Sequence, residues 1–398
     1  MRINVLIKVK STPVNICVNS KITALQGGSP HGNQIMRLFL CGDLMTGRGI
    51  DQIMSRHCDP EIHEPYMRSA LGYVGLAEQR SGTIPRSVPP DYVWGDALAD
   101  IDVRKPDLRI VNLETSITDR GSPEPKGINY RMHPANVACL AATRIDCCVL
   151  ANNHIGDWGT VGVTDTLDSL QKAKVAIAGA GVDDDAARRP AIFDRGRDGR
   201  LLVFAYALPS SGTPLAWAAG RHRPGINLLN SPDRESAGQV ARDIAAWRKP
   251  GDTVLLSLHW GPNWGYGIAE AHRSFAHQVI EEAEVDILHG HSSHHPIAIE
   301  VHRGRPILYG CGDFINDYEG IGGNEEYRPD LMLGYVLDYD TAHGLRALEA
   351  LPYRLRKFRL ERPPATDVEW LAARLDRECA RFGHRVETTG RGSLALLR

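Results

Sequence analysis

The chain has 398 residues, 42% of them hydrophobic, which is enough to bury a large core in one big or two modest domains. Its 46 Lys+Arg nearly balance 48 Asp+Glu and no basic run carries interleaved aromatics, which argues against a nucleic-acid partner. The eight cysteines have no CxxC or paired metal spacing, no apolar stretch approaches membrane-spanning length and the N-terminus has no signal pattern, so a cytoplasmic protein without a membrane partner is expected.

Residues 1–35 alternate only weakly and end in a Gly/Ser/Pro-bearing stretch, which predicts a poorly ordered extension before a first strong strand at Met36. The run Leu38-Phe39-Leu40-Cys41 ends on Gly42-Asp43, and residues 55–95, with little periodicity, read as a long excursion over a site. A short helix over 94–102 leads to a strand ending in Asn112-Leu113-Glu114. After the loop Gly121-Ser-Pro-Glu-Pro-Lys-Gly127, Arg131 offers a cation for a substrate carboxylate, and Pro134 opens a helix through 142. The apolar run 147–150 runs into Asn152-Asn153-His154-Ile155-Gly156-Asp157. A helix over 162–174, strands over 175–178 and 200–208, and a helix over 231–249 follow. Two more apolar runs end in His259 and in His289-Gly290-His291. The last third adds a strand over 333–338 and an amphipathic helix over 367–382. This order of strands and helices predicts an α/β layered fold with much parallel pairing, its second half reading like its first.

Five apolar runs therefore end in amide, carboxylate or imidazole groups. In α/β folds such strand ends converge on one site, and mixed oxygen and nitrogen donors without cysteine suit a divalent metal ion.

Taken together, Gly42-Asp43, Asn112-Leu113-Glu114, Asn152 to Asp157, His259-Trp260-Gly261, Gly290-His291-Ser-Ser-His294 and Tyr309-Gly-Cys-Gly-Asp313-Phe314 resemble, in order, the motifs of the CapA (poly-γ-glutamate capsule protein) family of the calcineurin-like metallophosphoesterase superfamily. The resemblance implies an αββα sandwich over residues 36–345, with 346–398 as a tail packed on it. It also implies metal ligation by Asp43, Glu114, Asn153, His259 and His291, and a general acid or base at His154, oriented by Asp157. The superfamily's Asp-x-His pattern is Asp43-Leu44-Met45 here, and its acidic Gly-Asp-x-x-Asp segment is replaced by Asn112-Leu113-Glu114, so a single oxygen-rich site is expected. Ca²⁺ or Mn²⁺ is favoured for it, with Mg²⁺, Zn²⁺ or Fe as alternatives.

Two further departures are Asp313, where the pattern carries Asn, and an added His295 beside His294. They suggest a second His/Asp pair, and two proton carriers beside one metal are what epimerisation at a Cα–H centre requires. The chain is therefore similar to the lasso-peptide epimerases. The function expected from that resemblance is inversion of the C-terminal residue of a precursor peptide, with Trp260 and Trp264 walling an apolar or aromatic side chain. A CapA-type hydrolase or phosphoesterase, or a capsule-polymer biosynthesis protein, is the alternative.

Overall fold

The first strong apolar run becomes a ten-residue strand, β1 (Ile35–Leu44), in the computed structural model, which describes residues 35–397. The extension expected over 1–35 lies outside the described residues except for Ile35, which already belongs to β1. Next come α1 (Leu71–Ser81), α2 (Gly95–Arg104), β2 (Leu108–Leu113), β3 (Cys147–Val149), α3 (Gly159–Lys172) and β4 (Ala176–Ala178). The second half holds β5 (Ala191–Asp194), β6 (Arg200–Ala207), α4 (Arg234–Ala245), β7 (Thr253–His259), α5 (Glu270–Glu281), β8 (Ile287–His291), β9 (Ile299–His302) and β10 (Arg305–Leu308). It closes with β11 (Asp313–Ile315), β12 (Leu331–Asp340), β13 (Gly344–Arg356), α6 (Ala365–Cys379), β14 (Arg385–Thr388) and β15 (Leu394–Leu397).

Two mixed sheets carry these strands. The first runs β14-β15-β13-β12-β1-β2-β3-β4, with β11 also paired to β1, and the second runs β9-β10-β8-β7-β6-β5. Side chains alternate across a strand, so β6 sends Leu201, Val203 and Ala205 into a core shared with Phe39, Leu40 and Val111 of the first sheet. Leu202, Phe204 and Tyr206 face the other way, onto Val240 and Ile244 of α4 and Phe275 and Val279 of α5. Helices α2 and α3 bury Ile101 and Leu170 against the first sheet's core. The result is the αββα sandwich that the motif order implied. The sheets are also tied by hydrogen bonds: His289 Nε2 donates to the Cys41 carbonyl at 2.9 Å, and the Tyr339 hydroxyl donates to Asp286 at 3.0 Å.

Two sequence readings are altered. The stretch 55–95 is not a bare loop, because α1 buries Tyr73, Val74 and Ala77; its glycines and charged residues masked the short apolar stripe. The boundary expected at 345 falls inside β13, a 13-residue strand paired along β12. The seven described cysteines are all buried free thiols, filling space as small apolar residues do.

The register of β1 is interrupted between Cys41 and Asp43, a bulge that turns the end of the strand and sets Asp43 directly opposite Asp313 of β11. Gly42 makes this possible, since a Cβ there would lie 1.9 Å from the Gly312 carbonyl oxygen. Gly42→Ala is therefore expected to force β1 and β11 apart and cost about 1–3 kcal/mol. Gly75→Ala, in α1 with no atom within 4 Å of the added methyl, should keep or raise stability by about 0.5–1 kcal/mol. Thermal melts of the two variants check the contrast, which a lower midpoint for Gly75→Ala than for Gly42→Ala would refute.

Candidate active site

Strand ends bring the predicted donors together. Asp43 sits at the end of β1, Asn112 and Glu114 at the end of β2, Asn153 just past β3, His259 at the end of β7 and His291 at the end of β8. Nδ2 of Asn112 donates to Asp43 at 2.7 Å and to Glu114 at 3.3 Å, so one amide bridges the two carboxylates. Glu114 Oε1 is 3.8 Å from Nε2 of both His154 and His259, and His291 Nδ1 is 3.8 Å from Asp43. Ser292, held at φ 102°, turns its N–H toward Asp43 at 3.3 Å. Burial, and next the charge of Asp313, push the Asp43 carboxyl up to about 7. Burial and the Asp43 charge push Glu114 well up. Three buried carboxylates therefore share one pocket, a charge excess that a cation offsets.

The imidazoles point to the same conclusion. Burial holds His289, His291 and His259 neutral, so each carries one ring proton. His289 places its proton on Nε2, toward the Cys41 carbonyl, and its Nδ1 faces Ser257 Oγ at 3.2 Å. Ser257 donates there and accepts from His291 Nε2 at 2.8 Å, which leaves the lone pair of His291 on Nδ1. His259 then meets that lone pair at 2.8 Å from its Nδ1 and the Asn153 Oδ1 at 3.1 Å from its Nε2. One proton satisfies only one of these acceptors. The remaining pair of facing lone pairs suits a metal ion between them, so the donor set of Asp43, Glu114, Asn153, His259 and His291 fits a divalent cation. Asp43, His259 and His291 also converge within 4.8 Å of one another, as do Asp43, His294 and Asp313.

Two His–Asp pairs border this set. His154 Nδ1 lies 2.6 Å from Asp157 Oδ2, and burial, outweighing the Asp157 charge, lowers the imidazole to about 4. It is a neutral base with its lone pair on Nε2, toward Glu114. His294 Nδ1 lies 2.9 Å from Asp313 Oδ1. Burial opposes charge on His294, but the charge and hydrogen bond of Asp313, with the charge of Asp43, outweigh it and raise the imidazole above its usual value. It is an acid.

The other sequence-predicted residues are placed differently. His295 uses both ring nitrogens structurally, Nε2 accepting from Gly265 N–H at 3.1 Å and Nδ1 donating to the Pro296 carbonyl at 3.1 Å. Trp260 is 4% exposed, donates to the Tyr309 carbonyl and packs on Phe275, so it is core and not a substrate wall. Arg131 donates to the Asp59 carbonyl and lies over the Trp158 ring at 3.9 Å, so it is not aimed at a substrate. Trp264 does border the site, with its ring 5.2 Å from that of His294.

Sequence reasoning missed Lys126, whose Nζ lies 2.6 Å from Asp157 Oδ1 and contacts the Asn153 carbonyl. The prolines either side of Glu124 were its one local signal, marking a rigid loop. Beside it opens a pocket of about 370 Å³ lined by Lys126, Gly156, Val163, Trp217 and Arg223. Arg48 was also missed as a site element. Fully buried at φ 51°, it bonds Glu64 at 2.8 Å and Asp317, and lies 3.6 Å from the Tyr73 ring centroid and 4.6 Å from that of Tyr130.

Two outcomes follow from these bonds. Ser257→Ala should free the His291 tautomer and weaken divalent-metal affinity about 10–100-fold, read by titration calorimetry, and unchanged affinity would refute the relay. Arg48→Met should cost about 3–5 kcal/mol in urea unfolding because it strands two buried carboxylates.

Among known proteins, the chain matches the family described as Bacterial capsule synthesis protein PGA_cap over residues 37–318. It is 47% identical over 357 residues, 89% of this chain and 94% of the relative, to a probable polyglutamine synthesis accessory protein of Mycobacterium tuberculosis. It is 27% identical to the PGA biosynthesis protein CapA of Bacillus subtilis, across 72% of this chain and 65% of that protein. Among the described residues no helix is long and apolar enough to cross a membrane. The matched span runs from before Asp43 to beyond Asp313 and so contains every strand-end donor described above: the chain belongs to the CapA-like bacterial capsule synthesis protein (PGA_cap) family.

Proposed function

We propose that this protein is a metal-assisted acid–base enzyme that inverts a Cα centre in an amide-linked substrate chain. The observation that carries the reading is the opposite environment of two His–Asp pairs beside one donor set: burial lowers the His154 imidazole to about 4, whereas Asp313 and Asp43 outweigh burial and raise that of His294. Groups whose environments drive their pKa values apart take the base and acid roles.

In this reading His154, held by Asp157 through Nδ1, takes the Cα proton on Nε2 while the C–H electron pair moves toward the adjacent carbonyl. His294 returns its proton to the opposite face, and reversal of roles serves the other stereoisomer. Asp43, Glu114, Asn153, His259 and His291 would hold a divalent cation, which would supply Lewis-acid polarisation of that carbonyl. Two imidazoles among the donors favour Mn²⁺, Zn²⁺ or Fe over Ca²⁺. Arg223 and Lys126, the latter paired with Asp157, give the adjoining pocket cations, Glu124 gives it a carboxylate and Trp217 an aromatic wall. Those features suit a polar substrate chain.

The substrate expected from the sequence resemblance was a ribosomal precursor peptide. Relatives named for polyglutamine and PGA synthesis add glutamyl polymers, and both substrates present a Cα–H beside a carbonyl. A second reading, hydrolysis by a CapA-type metalloenzyme, is favoured by the same pairs, since one lowered and one raised imidazole also suit activation of water and protonation of a leaving group.

Incubation with oligoglutamyl chains or precursor peptide in D₂O separates the readings. Deuterium at Cα with inversion supports the epimerase, chain cleavage or phosphate release supports the hydrolase, and neither outcome leaves a non-catalytic accessory protein. His154→Ala and His294→Ala should each lower net inversion about 10²–10⁴-fold, with opposite preferences for exchange into L and D substrates. Asp157→Asn and Asp313→Asn should weaken the matching half-reactions. His295→Ala should retain the Cα exchange that His294→Ala loses, and equal losses in both would contradict the assignment of His294.

A further inference from the structure

Away from the strand ends, helix α5 and edge strand β9 present a second set of donors. His277 and Glu281 are four residues apart on α5, hence on one helix face, and Glu300 and His302 are two apart on β9, hence on one face of the strand. These are spacings at which a helix and a strand each offer two ligands to one ion. Packing of α5 on β9 brings them together: the ligand atoms of His277, Glu300 and His302 lie within 4.8 Å of one another. His277 Nε2 is 2.8 Å from Glu300 Oε1, His302 Nε2 is 2.7 Å from Glu281 Oε1, and the two imidazoles stack at 3.9 Å with their planes 7° apart.

From this arrangement we infer a zinc site, formed by His277, Glu281, Glu300 and His302, that staples α5 to β9. Each ring Nε2 faces a carboxylate, and a ring that carries its proton on Nδ1 turns its Nε2 lone pair to a metal placed there. The second oxygen of Glu300 is occupied by the Tyr309 hydroxyl at 2.7 Å, which orients the carboxylate and leaves Oε1 for the ion. Arg303 approaches the same Glu281 oxygen that faces His302, Oε1, at 3.1 Å, which fixes that carboxylate beside His302. Two nitrogens and two carboxylate oxygens make the four-coordinate set that Zn²⁺ prefers, and two carboxylates balance its charge. Tetrahedral ligation needs donors about 3.3 Å apart, given metal bonds of about 2.0 Å, so the two short His–Glu pairs would open slightly while the wider separations close. The staple would also protect β9, the outermost strand of its sheet.

The test is Zn²⁺ and Co²⁺ titration of the full chain after chelator treatment, followed by calorimetry and by the visible absorption of tetrahedral Co²⁺. Wild type should bind one equivalent more than the His277→Ala/His302→Ala variant, and Zn²⁺ should raise the melting temperature of wild type above that of the variant by more than the chelated proteins differ. A Glu281→Gln variant, which keeps both imidazoles, should bind the ion more weakly than wild type. The site is independent of the strand-end centre, so Asp43→Asn should leave this equivalent bound. Equal metal content in wild type and the double-histidine variant would overturn the inference, as would loss of both equivalents in Asp43→Asn.

Discussion

Burying negative charge is the constraint on which the rest of the structure turns. Asp43, Glu114 and Asp313 are all within 2% of full burial, and Asp43 and Asp313 face each other across paired strands. Bare carboxylates in such a place would cost several kcal/mol each. The chain offsets this with the Asn112 amide, the Ser292 N–H and the His294 ring beside Asp313, and its imidazoles leave lone pairs suited to a cation. The bulge at Gly42 and the unusual backbone of Ser292 serve that arrangement. The backbone is bent where charge has to meet charge.

A second constraint keeps the two His–Asp pairs in a fixed relation. Arg48, in the turn after β1, is gripped by Glu64 and Asp317 and stacked on Tyr73 and Tyr130. The Tyr130 ring lies edge-on to His154 at 4.7 Å, and the Tyr318 ring edge-on to His294 at 5.2 Å. The two phenols meet at 3.4 Å, so one buried cation anchors the aromatic surface behind both histidines. The His154 and His294 imidazoles are shifted in opposite directions because their surroundings differ. Lys126 shares Asp157 with His154 and opposes a second positive charge there, whereas His294 faces Asp313 and Asp43.

How much of this was legible in the chain itself follows from what each feature depends on. The layered α/β class and the strand-end donors were readable because they rest on local patterns, an apolar run of fixed period and then Asp, Asn or His at its end, whereas the αββα sandwich was implied by the resemblance of the ordered motifs. Asp43, Glu114, Asn153, His259 and His291 were named from such ends and do converge, as do His154 with Asp157 and His294 with Asp313. Trp260 and Arg131 were misplaced because an aromatic or a cation beside a motif looks the same whether it turns to the core, to a neighbouring ring or to the substrate. Which it does is set by partners far along the chain, Tyr309 for Trp260 and Asp59 for Arg131.

The sequence by itself determined the layered α/β class and the chemical identity of the strand-end donors, because hydrophobic periodicity and residue type act over a few residues. Only the tertiary structure decided which histidine of the His294-His295 pair meets Asp313, which imidazole its surroundings lower and which they raise, and that Lys126, Arg48 and the His277/His302 pair lie in polar clusters. Those outcomes depend on burial, on electrostatic fields and on hydrogen bonds between residues up to 269 positions apart, as in Arg48 and Asp317, and such quantities exist only once the sheets have packed.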